Sequence, residues 1–172
     1  MVDEYILQLQ REFPKLRIVR KPEWMRRLFA SPLLSWLHLN DFTQAIWNTI
    51  YLVEGWEGRS STEQIVTLRH EAVHLRQFRR YGPLLMSILY LFIFFPIGLA
   101  YFRAKFEREA YTESLIAKLQ YLGFSQEQLE RHRRRYLQVF TTREYLWAWP
   151  FKKAVLRWAE EDINTAILRL CI

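Results

Sequence analysis

SSTEQIVTLRHEAVHLRQFRRY, residues 60–81, is the stretch on which the reading of this chain turns. Ser60 with Glu63, or Ser61 with Gln64, fits a capping box, in which two side chains three residues apart satisfy each other's backbone amides. A helix therefore begins here, and Gly82-Pro83 stops it near Tyr81. Along it His70, His74, Gln77 and Tyr81 follow a 4-3-4 spacing and form one stripe of polar or amphipathic groups. Leu68, Ala72, Leu75 and Phe78 supply an apolar side.

Two histidines four apart on a helix have Cβ atoms about 5–6 Å apart. Both imidazoles of His70 and His74 can then reach one Zn²⁺ at about 2.0–2.1 Å. Glu71 points beside that metal rather than at it, where a carboxylate can take a proton from water and pass it to a leaving amine. The competing reading is a pair of structural histidines on a solvated helix face. The clear cap and the strand-rich segment before the motif favour the metal.

A catalytic zinc wants a third protein ligand and one open position. His38 and His132 are isolated and read as surface or core-edge histidines. The better candidates lie in Phe106-Glu107-Arg108-Glu109-Ala110-Tyr111. Glu107, Ala110, Ser114, Ala117 and Tyr121 follow a 3-4-3-4 spacing, a helix stripe whose small residues permit close approach to the metal helix. Glu107 is the expected third ligand; Glu109, rotated by about 200° from it on a helix, and Glu113 are the alternatives.

The elements around the motif order the rest. Residues 3–13 are helix-periodic and stop at Pro14; residues 16–19 read as a short strand; a helix follows Pro22. Residues 42–53, rich in aromatic and β-branched side chains, read as strand, and 54–58 as a turn. Helices are expected over about 106–122 and 125–140, and a Trp-rich segment closes the chain. Strands early and helices late make an α+β pattern.

At 172 residues the chain fits one domain, and 51% hydrophobic with 25% charged residues is globular rather than disordered. A net charge of +7 favours anionic surroundings. The one cysteine, Cys171, excludes an intramolecular disulfide and a thiolate cluster. With acidic residues near the N-terminus and no secretory signal in view, a reducing, cytoplasmic setting is expected, with peripheral membrane association as an option.

His70-Glu71-x-x-His74-x-x-Gln77 followed by Glu107-x-x-Ala110 resembles the gluzincin zinc metallopeptidases, and especially the minimal members called minigluzincins. The resemblance covers roughly residues 42–120 and is specific only at these positions. It implies a zincin-like fold, with a small sheet whose antiparallel edge strand lies over the metal helix and binds peptide in extended form. Residues 42–53 would supply that strand. It implies His70, His74 and the downstream glutamate as ligands of one zinc per chain, Glu71 as general base, and a peptide or protein as substrate. Many members carry a carboxylate four residues after the glutamate ligand, to orient a ligand histidine. Tyr111 holds that position here, and its hydroxyl, like Gln77, is a candidate orienting or substrate-positioning group. The rival expectation is a non-catalytic, zinc-stabilised module bound to a membrane surface or a protein partner.

Residues 83–102 contain no charge and are long enough to span a bilayer. A straight span would carry Glu107 far past the zinc, so the chain is expected to fold back at Pro96-Ile97-Gly98. The two arms are either buried core or a hairpin dipping into an anionic membrane, with Arg79 and Arg80 before it and Arg103, Lys105 and Arg108 after it. The run Arg131-His132-Arg133-Arg134-Arg135 has only Tyr136 for stacking, so it reads as a solvated helix face and nucleic acid is not the expected partner.

Overall fold

The helix that carries the motif forms where its caps dictate. In the computed structural model, α3 runs over Ser61–Tyr81. Ser60 N donates to Glu63 Oε2 at 2.9 Å and Glu63 N donates to Ser60 Oγ at 3.3 Å, the reciprocal pair of a capping box. At the other end Gly82 adopts φ +78°, and its N–H donates to Phe78 O at 2.9 Å. A left-handed residue there closes the helix, and glycine adopts it without a Cβ penalty.

The structure describes residues 1–32, 35, 39–91, 101–123, 125–142 and 151–171. His38, the expected break at Pro96-Ile97-Gly98, and Trp147 and Trp149 lie outside them. The described part is mostly helical, with a small mixed sheet, an α+β architecture. It divides into two compact units, Met1–Leu75 and Arg76–Ile172, and the boundary falls within α3.

In the first unit, α1 (Val2–Glu12), β1 (Arg17–Arg20) and α2 (Glu23–Ala30) precede a hairpin of β2 (Gln44–Ile46) and β3 (Thr49–Leu52). The sheet order is β1-β3-β2, with β1 parallel to β3 and β2 antiparallel to it. Residues 42–53, expected as one strand, are therefore two strands. Ile46 pairs with Thr49, leaving Trp47-Asn48 as a two-residue turn, and Trp47 takes φ +55°. Tight hairpin turns require positive φ, and no glycine announces it here. The core sets α1 and α3 as far as Leu75 against the sheet: Leu9, Phe13, Ile50, Leu68, Ala72 and Leu75 are buried together. Ile50 on the central strand is fully buried.

In the second unit, α4 (Pro83–Leu91), α5 (Tyr101–Leu122), α6 (Gln126–Thr141) and α7 (Lys152–Cys171) follow the end of α3. The closing segment, expected only as Trp-rich, is a helix of 20 residues. Its buried Val155, Ala159, Ile163 and Ala166 keep a 4-4-3 spacing. Val155 and Ala159 pack with Ala104, Tyr136 and Phe140, while Ile163 and Ala166 pack with Leu115, Leu119 and Leu129. Asp162 ties three helices: it accepts from Arg108 Nε at 3.0 Å, from Arg108 Nη2 at 2.8 Å and from the Tyr136 hydroxyl. Arg108, expected among the charges flanking the uncharged stretch, is thus drawn into an internal ion pair.

Candidate metal centre

Everything at the site follows from α3. His70 and His74 sit one turn apart, with ring centroids separated by 5.1 Å and planes at 73°. The rings are edge-to-face rather than stacked. His74 is buried and His70 half-buried. One ligand atom from each of His70, His74 and Glu107 lies within 4.8 Å of the others, so the group could hold a metal ion. Glu107 is only 1% exposed. A carboxylate so deeply buried is costly unless a cation or strong donors compensate it. Two imidazoles and one carboxylate form a donor set suited to zinc. The residues present fit a zinc ion.

The choice among the acidic residues of α5 follows from geometry. Gln77, 3% exposed and one turn beyond His74, donates from Nε2 to Phe106 O at 3.1 Å and to Glu109 Oε2 at 2.9 Å. Glu109 is thereby held by an amide, while Glu107 is the α5 carboxylate in the group that could hold a metal ion. Glu113 lies 3.8 Å from Arg169 in an ion pair. The Tyr111 ring meets Tyr136 and Phe140 edge-to-face, with centroids 6.2 and 6.0 Å away, in the helical core. His132 stands on α6, where burial first, then Lys118 and Arg133, push its pKa down to about 4.

Glu71, also buried, accepts at Oε2 from the Ala45 backbone N–H at 2.6 Å. Ala45 is the middle residue of β2, an edge strand of the sheet. One oxygen of the Glu71 carboxylate is thus held by backbone, which does not swing as a side chain does.

Lys21 is a feature that no local pattern discloses. Its buried ammonium donates to three carbonyls of the segment entering β2: Leu39 O at 2.6 Å, Asn40 O at 3.3 Å and Phe42 O at 2.5 Å. Burial pushes its pKa down to about 8, against the attraction of Asp41 and Glu71. These contacts span 18 to 21 residues of sequence, so only the folded chain reveals them.

The chain matches no family model, no curated protein and no solved structure.

Proposed function

We propose that the chain is a zinc-dependent peptidase or peptidase-like hydrolase of gluzincin type, with a zincin-like arrangement of edge strand and metal helix. The observation that carries the reading is the Glu71 carboxylate, fixed to the edge-strand amide of Ala45 and one residue from His70 in the three-ligand group. His70, His74 and Glu107 would hold the zinc. When bound, zinc supplies Lewis-acid polarisation of a carbonyl and acidifies water to a pKa of about 7.

The chain's own residues do the rest. Glu71 takes the proton of the attacking water on its carboxylate and returns it to the departing amine nitrogen. An extended peptide adds along β2, where backbone hydrogen bonds align it without demanding a particular side chain. Lys21 holds the chain entering β2, and so holds the amide that orients Glu71. Gln77 acts on the α5 turn through Phe106 and Glu109, as a positioning residue rather than a catalytic one.

Metal analysis of the purified protein should find about one zinc per chain. His70→Ala and Glu107→Ala should each remove it. Glu71→Gln should retain the zinc and abolish cleavage of a fluorogenic peptide library. Full zinc retention by His70→Ala would overturn the site. Retention of peptide cleavage by Glu71→Gln would overturn the reaction.

A further inference from the structure

The uncharged stretch begins on α4, and that helix turns apolar side chains to solvent. Leu84, Leu85 and Ile88 are 76%, 48% and 41% exposed, whereas Met86 is 1% exposed. On a helix the three exposed residues fall within an arc of about 100°. Helices facing water ordinarily carry polar outer faces, and α4 has no charged residue at all. A contiguous apolar face of this kind marks something it contacts.

The surrounding charge says what. Between Glu71 and Glu107 the chain holds no acidic residue, while Arg76, Arg79, Arg80, Arg103 and Lys105 are basic. Arg79 and Arg80 close α3 immediately before α4 and are exposed, as is Lys105 on α5. We propose that α4 lays its Leu84–Leu85–Ile88 face into the surface of an anionic lipid bilayer, with Arg79 and Arg80 meeting the headgroups.

Three arguments favour a bilayer over other occupants. A second copy of this chain would bring a like-charged rim, at a net charge of +7 per chain, against the same face. A protein hot spot draws chiefly on aromatic and arginine anchors seated in pockets, with leucine under-represented. A short leucine-rich face without directional polar groups suits fluid hydrocarbon instead. Among the described residues no helix is long and apolar enough to cross a membrane. The contact proposed here is one that lies on the surface. It does not depend on the peptidase reading, because none of its residues belongs to the metal group.

The test is sedimentation of the full chain with vesicles of phosphatidylcholine alone or containing about 30% phosphatidylserine. The wild type should pellet with the anionic vesicles and lose binding as salt rises. Leu84→Gln/Ile88→Gln should weaken that binding on the order of tenfold. Arg79→Gln/Arg80→Gln should weaken it on the order of thirtyfold. All four changes fall on exposed positions, so circular dichroism and zinc content should match the wild type. Equal binding to neutral vesicles, or undiminished binding by both variants, overturns the proposal. So does a vesicle-free dimer that the Leu84→Gln/Ile88→Gln variant abolishes, which would assign the face to a second copy. Loss of zinc or of peptidase activity with vesicle binding intact would strike the metal centre and leave this face standing.

Discussion

Gln77→Leu is the substitution that most directly tests how the third ligand is positioned. The change keeps the side chain's approximate volume in a buried site and removes two donations from Nε2, one to Phe106 O and one to Glu109 Oε2. A neutral hydrogen bond contributes about 1 kcal/mol and one to a charged group about 1.5–3 kcal/mol. Glu109 is exposed, so water re-solvates its carboxylate and the lower end of that range applies. The expected loss is about 2 kcal/mol of stability, or a melting point lowered by about 4–8 °C in a chain of this length. Loosening the α5 turn that carries Glu107 should also weaken zinc binding by about 10–100-fold, the scale seen when groups supporting a metal ligand are removed. Competition with a chromophoric chelator reads the affinity, and thermal unfolding in excess chelator reads the stability separately. Glu109→Gln is the control. Its amide oxygen still accepts from Gln77, so zinc affinity should stay within about twofold. Wild-type zinc affinity in Gln77→Leu, together with zinc loss in Glu109→Gln, would refute the reasoning and move the ligand to Glu109.

Two further outcomes follow from the second unit. Asp162→Ala removes the acceptor shared by Arg108 and Tyr136. It leaves a phenol 1% exposed and a guanidinium that keeps its contact with Glu161 and its place over the Trp158 ring. Because Arg108 stays partly solvated, the loss should sit at the lower end of the range for breaking a buried pair, about 3 kcal/mol by urea unfolding; Asp162→Asn should cost less. His132 has a folded-state pKa of about 4, against an ordinary 6.5, because of burial and the cations Lys118 and Arg133. Between those values only the unfolded chain takes up the proton, so stability is complete above about pH 6.5 and falls as pH drops toward 4. The ring is half-buried, which discounts the full shift to about 1–2 kcal/mol. In metal-free protein His132→Gln should flatten that part of the stability–pH curve relative to the wild type, and an unchanged slope would refute the assignment.

What the sequence disclosed was local. The capping box at Ser60 and Glu63, the glycine after Tyr81 and the four-residue spacing of the histidines each act within one or two helical turns. All three appear where the pattern places them. Glu107 was legible for a similar reason, since the 3-4-3-4 stripe of small residues is a property of one helix. The hairpin inside residues 42–53 was not, because Trp47 carries the positive φ that glycine or asparagine would have advertised. The final helix was partly legible in the spacing of Val155, Ala159, Ile163 and Ala166, but Trp147, Trp149 and Trp158 dominate the composition around its start. The ion pair of Arg108 with Asp162 and the carbonyl contacts of Lys21 join residues far apart in sequence, and no window of the chain contains both ends.

The same distinction separates the candidate metal group from the proposed reaction. Helical periodicity alone puts His70, His74 and Gln77 on one stripe of α3, the first two in the group that could hold a metal ion and the third donating to the α5 turn. Metal binding and helix packing then draw on one set of positions, so zinc should stabilise the fold while the fold orders the ligands. The proposed reaction would draw on something else: a short edge strand whose central amide donates to Glu71, and a buried ammonium that secures the strand's entry. Those contacts are non-local, and they hold the base without helping to hold the metal. A change at Lys21 should therefore spare zinc affinity and strike catalysis, whereas a change at Gln77 should do the reverse in order of severity.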